Sequence, residues 1–319
     1  MKNSKYILGI DTSNYKTSVA VVDDDKNIIC DYRRFLEVKQ GGKGLRQSDA
    51  LFQHIRNLPE LAEKIRESFD GEFSAVAFSS KPRPAEGSYM PVFLAGKSYG
   101  RTLAAAMNIP FAAFSHQEGH IEAIKAYSEL KNSNNFLACH FSGGTCEVLE
   151  VSSSETGYDI DIIGGSLDIS MGQVIDRAGV AMGMKFPSGE KMDRLAMTAD
   201  DVTQLLTAVK VKDCRINLSG IDTQIKRRLS ENNTVDPCFI REIFIKLSDA
   251  ASQMLVQASE KTGINDIIMA GGVSSSCFIR ENMKEYMRKS GINLVFDDRN
   301  LAQDNAVGTA LLGGRYIWR

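Results

Sequence analysis

The sequence predicts an α/β protein built from two related halves. Two strand-turn-strand units begin near residues 6 and 136, each with a turn of small polar residues between two apolar runs. A third unit near residue 266 reads as a buried strand, a Gly-Gly turn and a helix. Two hairpins of one design in a chain of 319 residues indicate an internal duplication and two domains.

The composition is that of a globular protein. Hydrophobic residues make up 43% of the chain, and its six cysteines include no CxxC pair, which argues against a zinc ribbon or a disulfide scaffold. Charges at Lys5, Asp11 and Lys16 interrupt any signal peptide, and no apolar run is long enough to cross a bilayer. We therefore expect a cytoplasmic protein with no membrane partner. The net charge of -2 gives no global attraction to polyphosphate.

The two hairpins are candidate phosphate loops. The first is "YILGIDTSNYKTSVAVVDDD", residues 6–25, and the second is "FLACHFSGGTCEVLEVSS", residues 136–153. Small residues and hydroxyls at such turns let backbone N–H groups approach an anion closely. A Gly-rich hairpin is more often only a hairpin, so both interpretations stay open.

The stretch "FSHQEGHIEA" contains two of the four histidines in the chain. His116 and His120 are four residues apart and share one face of a predicted helix, where both rings can reach one metal ion. Ser115 is a suitable N-cap for this helix, with Glu118 as its capping-box partner. Two ligands are not a complete site, and the pair also fits ordinary polar residues on a half-exposed helix.

The middle segment, residues 164–196, is rich in glycine and carries two acids. Asp168 and Asp176 lie eight residues apart on a helix-like stretch, where they could share a face or be solvated charges. The repeated glycines indicate that this backbone approaches another group closely.

The C-terminal third supplies a strand, a glycine turn and two helices. "DIIMAGGVSSSCFIRENMKEYM" reads as strand Ile267–Ala270, the turn Gly271-Gly272 and a helix from about Ser275, which makes a nucleotide site plausible. Asp304 precedes a small-residue helix, Ala306–Gly314, and fits a simple N-cap.

Taken in order, these motifs resemble the tRNA threonylcarbamoyladenosine transferase family, formerly described as O-sialoglycoprotein endopeptidases. The resemblance covers nearly the whole chain, and the ordered series is far more specific than any one motif. The matching stretches are "ILGIDTS", "FSHQEGHIEA", "FSGGTCEV", "GQVIDRAGVAMGMKFPSG", "MAGGVSSSCFIR" and "QDNAVGTA".

The resemblance implies the fold of actin, sugar kinases and the Hsp70 ATPase, with two duplicated lobes around a nucleotide cleft. On this basis residues 1–114 form the N-terminal lobe, with the C-terminal helix, residues 304–319, as a candidate to complete it. Residues 115–303 form the C-terminal lobe.

The resemblance also implies the site residues. His116, His120 and Asp304 correspond to the joint ligands of one divalent ion, iron or zinc, and are the implied catalytic residues. The positions carried over to an adenine nucleotide, ATP or an acyl-adenylate, are His140, Phe141, Ser142, Gly143, Gly144, Asp176, Gly189, Gly272 and Ser276.

The implied reaction transfers a threonylcarbamoyl group from threonylcarbamoyl-AMP to the N6 amine of a tRNA adenosine. Implied partners are tRNA, a related subunit of the same fold and a small ATPase subunit. Two basic clusters are candidates for RNA contact, although a charge run is usually a solvated face. They are Lys210, Lys212 and Arg215, and Lys226, Arg227 and Arg228.

Departures from the family pattern favour a divergent paralogue with its metal ligands kept and its nucleotide pocket altered. Three other functions stay open: a carbamoyltransferase acting on a small molecule, an ATPase, and a partner subunit without turnover. The departures are Ser276 for Asn, Asp168-Ile169 for Asp-Asp, Gly172-Gln173 for Gly-Glu, Thr145-Cys146 for His-Thr, and "SKPRPAEGSY" for a Gly-Pro-Gly near residue 82.

Overall fold

The computed structural model describes residues 5–13, 15–38, 45–232, 234–288 and 290–318. Residue 14, in the turn of the first hairpin, and residue 319 lie outside the described residues. Within the described part, the first half of the chain contains β1 (Tyr6–Thr12), β2 (Lys16–Asp23), β3 (Ile28–Phe35), α1 (Gln47–Ser68), β4 (Phe73–Lys81), α2 (Phe93–Met107), β5 (Phe111–Ser115) and α3 (His116–Lys125).

The second half repeats this order with insertions. It contains β6 (Asn135–Phe141), β7 (Cys146–Ser153), β8 (Tyr158–Ser166), α4 (Met171–Ala181), α5 (Gly189–Thr198), β9 (Val211–Lys212), β10 (Arg215–Ile216), α6 (Ser219–Glu231), α7 (Pro237–Thr262), β11 (Asp266–Ala270), α8 (Cys277–Met287), β12 (Asn293–Phe296) and α9 (Val307–Ile317), with 3-10 turns at Glu129–Asn132 and Gly272–Ser275.

The two sheets confirm the predicted duplication. The first has the strand order β3-β2-β1-β4-β5, and the second has the order β12-β11-β6-β7-β8-β10-β9. Each sheet therefore contains an antiparallel hairpin beside two parallel strands, in the same relative order. In the second sheet, β10 and β9 extend the edge beyond β8.

Helices cover both faces of the first sheet, as its apolar strands require. On one face, Leu58 of α1 and Ala104 of α2 belong to one buried cluster with Leu8 of β1 and Val21 of β2. On the other face, α9 packs through Ala310 against Ile7. Burial on both sides explains why β1 is apolar almost throughout rather than alternating.

The second sheet lies between α7 and α3. Leu247 of α7 joins Leu137 and Val148 in one core, whereas Ile121 of α3 packs with Phe136 in another. The helices that follow the last strand of each sheet are thus exchanged: α3 covers the second sheet, and α9 covers the first. The lobe boundary between residues 114 and 115 stays a prediction.

Two expectations about local structure need correction. The helix after the Gly-Gly turn begins at Cys277, with Ser276 as its N-cap, because a 3-10 turn occupies residues 272–275. Asp168 does not share a helix with Asp176, because α4 begins only at Met171. No helix in the described ranges combines the length and apolar character needed to cross a bilayer.

Candidate metal centre and nucleotide loops

Helix α3 presents both histidines from its first two turns. Ser115 is the N-cap: its hydroxyl accepts a hydrogen bond from the Glu118 backbone N–H, while the Glu118 carboxylate accepts from the Ser115 backbone N–H at 2.8 Å. This confirms the predicted capping box. The box fixes where the helix starts, and with it the face on which His116 and His120 lie.

Asp304 lies in the segment just before α9 but does not cap this helix. The N-cap position is Ala306, and the first turn of α9 is bonded instead by the preceding Asn305, whose side-chain oxygen accepts from the Gly308 backbone N–H at 3.2 Å. The interpretation of Asp304 as a simple cap is therefore wrong. Its carboxylate is left to face the two histidines.

The two helices meet backbone to backbone. A Cβ atom added at Gly308 of α9 would lie 1.8 Å from the Gly119 carbonyl oxygen of α3, far closer than any side chain tolerates. Gly119 lies between His116 and His120 in the sequence. The absence of side chains at this crossing lets α3 and the start of α9 approach closely enough for three polar side chains to converge.

The three side chains have the spacing of a metal site. The Nε2 atoms of His116 and His120 are 3.0 Å apart, and the Asp304 Oδ1 atom lies 3.2 Å from the His120 Nε2 and 3.4 Å from the His116 Nε2. A tetrahedral ion with bonds of about 2.0 Å separates its ligand atoms by roughly 3.3 Å. This group of donors, all within 4.8 Å of one another, therefore fits a divalent ion.

A fourth side chain orients one ligand. Asp11, at the end of β1, accepts a hydrogen bond from the His116 Nδ1 atom at 2.8 Å. A proton on Nδ1 leaves the Nε2 lone pair free for a metal, the usual arrangement around ligating histidines. Asp11 was not among the site residues predicted from the sequence. Its only signal was an acid at the carboxyl end of the first strand, in "ILGIDTS".

The charges of this cluster are tightly linked. Burial disfavours a protonated His116, but the carboxylates of Asp11 and Asp304 outweigh burial and raise its pKa to about 10. Burial, followed by the charge on His116, lowers the pKa of His120. Although burial favours a neutral Asp304, hydrogen bonds with the two histidines hold the pKa of this carboxyl well below its usual value. Without an ion, these shifts favour a positively charged His116, a neutral His120 and an ionised Asp304.

His140 connects this cluster to the second hairpin. It lies at the end of β6, and its ring centroid is 4.8 Å from that of His120. Burial lowers the pKa of His140 well below its usual value, and the charges on His120 and His116 lower it further. His140, predicted as a nucleotide contact, is thus placed beside the predicted metal ligands.

The turn of the second hairpin is open. The Ser142 hydroxyl accepts from the backbone N–H groups of Gly144 at 3.3 Å and Thr145 at 3.0 Å. Apart from the adjacent residues in the chain, no atom of the described residues lies within 4 Å of a Cβ placed on Gly143 or Gly144. Two glycines of the predicted phosphate loop therefore face free space.

The middle segment packs against this turn. A Cβ at Gly172 would lie 2.6 Å from the Ser142 carbonyl oxygen, and one at Gly179 would lie 2.2 Å from the Ser188 hydroxyl. At both positions, the close approach expected from the glycines is made by the chain itself.

The third loop lies beside the second hairpin. Strands β6 and β11 are parallel neighbours, with His140 opposite Ala270, so the turns that follow them share one edge of the sheet. Gly271 adopts a positive φ of 91° and packs against the Phe141 carbonyl. Gly272 follows it in the open: within the part of the chain that the structure describes, only its neighbours in sequence come within 4 Å of its Cβ position.

Other predicted nucleotide contacts already bond within the protein. Ser276 caps α8 through the Ile279 N–H and donates to the Asp193 carboxylate at 2.5 Å. Asp176 accepts from the Ser188 backbone N–H at 2.7 Å, just before α5 begins at Gly189. Asp193 was not predicted from the sequence, yet its carboxylate also accepts from two backbone N–H groups at the start of α8.

Fold and site together define a two-lobed protein of the actin and sugar kinase ATPase fold, with a candidate metal centre where its lobes meet. The profile of one family, tRNA N6-adenosine threonylcarbamoyltransferase (TsaD), matches residues 37–311. The chain belongs to this family, and it is therefore a transferase of the tRNA-modifying class.

Comparison with individual proteins supports the family and the fold. The chain is 29% identical over 317 residues to the tRNA N6-adenosine threonylcarbamoyltransferase of Wolbachia sp. subsp. Drosophila simulans (strain wRi), covering 95% of this chain and 90% of the relative. Among solved structures, the activator of 2-hydroxyisocaproyl-CoA dehydratase from Clostridium difficile with bound ADPNP superposes with a TM-score of 0.58 at 12% identity, covering 98% of this chain and 96% of that one. A ROK hexokinase from Thermus thermophilus gives 0.53 at 12% identity, with 97% of each chain covered. These two structures support the fold alone.

Proposed function

We propose that this protein transfers a threonylcarbamoyl group from threonylcarbamoyl-AMP to the N6 amine of a tRNA adenosine, with His116, His120 and Asp304 holding one divalent ion. The observation that carries the proposal is the convergence of these three side chains in a member of this transferase family. Iron and zinc both suit two imidazoles and one carboxylate.

The overall reaction forms one bond and breaks one. The N6 nitrogen attacks the carbamoyl carbon, the carbon-oxygen bond to the AMP phosphate breaks, AMP leaves, and the N6 proton passes to solvent. A divalent ion at this site supplies Lewis-acid polarisation of the carbonyl and a template for the adenylate. An adenine amine is a weak nucleophile, so positioning by the protein matters more than base strength.

The chain's own residues suit the adenylate half of this reaction. Gly143, Gly144 and Gly272 leave room for phosphate oxygens beside backbone N–H groups, at the sheet edge next to His140. We place the adenine nucleotide between these loops, with Asp176 and Gly189 toward the ribose.

The proposal extends to partners. The tRNA stem needs cations, and Lys210 and Lys212 are exposed, whereas Lys226 is paired with Asp222. We therefore favour the cluster around residues 210–215 for RNA contact. We also propose two protein partners, a related subunit of the same fold and a small ATPase subunit. A tRNA substrate is consistent with a cytoplasmic location.

The test is mass spectrometry of nucleosides after incubation with ATP, threonine, bicarbonate, the adenylate-forming enzyme and tRNA. We expect threonylcarbamoyladenosine in the RNA digest, and none with His116→Ala. ATP hydrolysis without a modified nucleoside would favour the ATPase alternative. A carbamoylated small molecule would favour the second carbamoyltransferase. No turnover, together with a stable complex with a related subunit, would favour the partner role.

A further inference from the structure

Of the four histidines in the chain, one is buried apart from the cluster that the other three form. His54 lies on α1, fully buried, and none of the proposed chemistry uses it. Its Nε2 atom is 2.7 Å from the Ser13 carbonyl oxygen, and its Nδ1 atom is 2.9 Å from the Thr17 hydroxyl. It thus contacts both sides of the turn that joins β1 and β2.

The partners of His54 fix the direction of each hydrogen bond. A carbonyl oxygen only accepts, so the His54 Nε2 atom carries the proton. The Nδ1 atom then accepts from the Thr17 hydroxyl, which itself accepts from the Asn57 amide at 3.1 Å. Burial lowers the pKa of His54, in keeping with this neutral form. Helix α1, through His54 and Asn57, therefore holds the first hairpin in one conformation.

This hairpin in turn holds Asp304. The Ser13 hydroxyl donates to Asp304 Oδ2 at 2.8 Å, whereas its alternative acceptor, the Lys16 carbonyl, is 3.5 Å away. Because Oδ2 is engaged, Oδ1 is the oxygen that faces His116 and His120. The Lys16 ammonium adds a second link by donating to Gln303, the neighbour of Asp304, at 2.5 Å.

We infer that His54 and Ser13 form a positioning relay that fixes which oxygen of Asp304 is offered to the ion. His54 sets the Ser13 backbone, the Ser13 hydroxyl holds Oδ2, and Oδ1 completes the site. Neither residue touches the ion, so both act as positioning residues. The inference rests on the metal site of the proposed function and adds the residues that set its affinity.

The relay is tested by titrating the metal-stripped full chain with Zn²⁺ alone, in competition with a chromophoric chelator. Loss of an outer hydrogen bond to a ligand weakens metal affinity by about 10-fold to 100-fold, so we expect Ser13→Ala to bind Zn²⁺ about 10-fold more weakly. Ser79→Ala is the matched control. It also removes a fully buried hydroxyl from the first sheet, but one with no hydrogen-bond partner among the described residues.

Two amide variants of His54 separate positioning from packing. A Gln amide reaches about as far as the imidazole Nε2 and can still donate to the Ser13 carbonyl, whereas an Asn amide reaches only the Nδ1 position. We expect His54→Asn to lower Zn²⁺ affinity as Ser13→Ala does, and His54→Gln to retain most of it. The double variant Ser13→Ala/His54→Asn should be no weaker than Ser13→Ala, because both act on one contact.

The outcomes are distinguishable. Wild-type affinity for Zn²⁺ in Ser13→Ala overturns the relay and leaves the metal site standing. Equal losses of affinity in His54→Asn and His54→Gln, with equal drops in melting temperature, overturn the role of His54. If the wild-type chain binds neither Zn²⁺ nor Fe²⁺, both the relay and the metal site are wrong. If the His54 variants do not fold, the relay is tested by Ser13→Ala and Ser79→Ala alone: equal Zn²⁺ affinities in these two variants would overturn it.

Discussion

The two hairpins occupy corresponding places in their sheets, but their turns do opposite things. The end of β1 and the turn after it are filled: Asp11 holds His116, Ser13 holds Asp304, and Lys16 holds Gln303. The turn after β6 is open on one side: the Cβ positions of Gly143 and Gly144 face free space among the described residues, while the Ser142 carbonyl accepts from the Gly172 N–H on the other side. The two hairpins therefore share a backbone design but differ at their turns: in the proposed function, the first turn positions the metal ligands and the second leaves room for a phosphate.

The largest expected effect comes from Asp304. Asp304→Asn keeps the shape of the side chain but removes the anionic ligand, so Zn²⁺ affinity should fall by more than about 100-fold, beyond the loss typical of outer-layer changes. His116→Ala and His120→Ala should do the same and abolish transfer while impairing ATP binding less. Elemental analysis of each purified variant measures the metal content, and a thermal melt shows that the fold is intact.

Asp236→Asn is the control for Asp304→Asn. Asp236 is a helix N-cap, where Asn serves about as well as Asp. Full metal occupancy in Asp304→Asn would show that the third ligand lies elsewhere.

The filled turn also predicts a pH dependence. The proton on His116, with a pKa of about 10, must leave before its Nε2 can bind a metal, while the lowered pKa of His120 leaves that ring neutral. Zn²⁺ affinity should therefore rise about tenfold per pH unit between pH 6.5 and 8.5, with one proton released per ion. Calorimetry in buffers of different ionisation enthalpy counts the protons. Release should shrink in Asp11→Asn, and an affinity independent of pH would contradict the assigned charge.

The open turn predicts a smaller effect, on nucleotide and not on metal. Ala at position 144 fits the free protein, so Gly144→Ala should leave the fold intact. By blocking one charged hydrogen bond to phosphate, it should weaken AMP binding about tenfold. Calorimetry measures the change, with Gly220→Ala as a control at another open glycine, on α6. Unchanged AMP affinity in Gly144→Ala would place the phosphate elsewhere.

The smallest effect is expected at Ser276. Asn caps a helix about as well as Ser, so Ser276→Asn should preserve α8. An added amide near the nucleotide should tighten adenylate binding by about threefold, the worth of one modest hydrogen bond. Equal or weaker binding would indicate that Asp193, which now accepts from Ser276, has rebuilt this loop around a different ligand.

Local signals in the sequence predicted the two hairpins and the helix with its two histidines, whereas the two-lobed fold and the role of Asp304 came from the resemblance to a known family. The capping box at Ser115, the spacing of His116 and His120 and the ordered motifs each depend on residues close in sequence. Asp11 and Ser13 were missed because their partners lie 105 and 291 residues away, and only the folded chain brings them together. The glycines of the middle segment were also ambiguous, since sequence does not say whether a ligand or the chain's own backbone fills the space beside them.

The exchange of α3 and α9 between the sheets has a consequence for synthesis on the ribosome. The face of the first sheet that carries Ile7 is covered only when α9 has been synthesised, and α9 begins 192 residues after β5 ends at Ser115. At about 5 to 20 residues per second, that wait lasts roughly 10 to 40 s. The nascent first lobe therefore exposes apolar surface for most of translation, and this interval is when chaperones would be needed most.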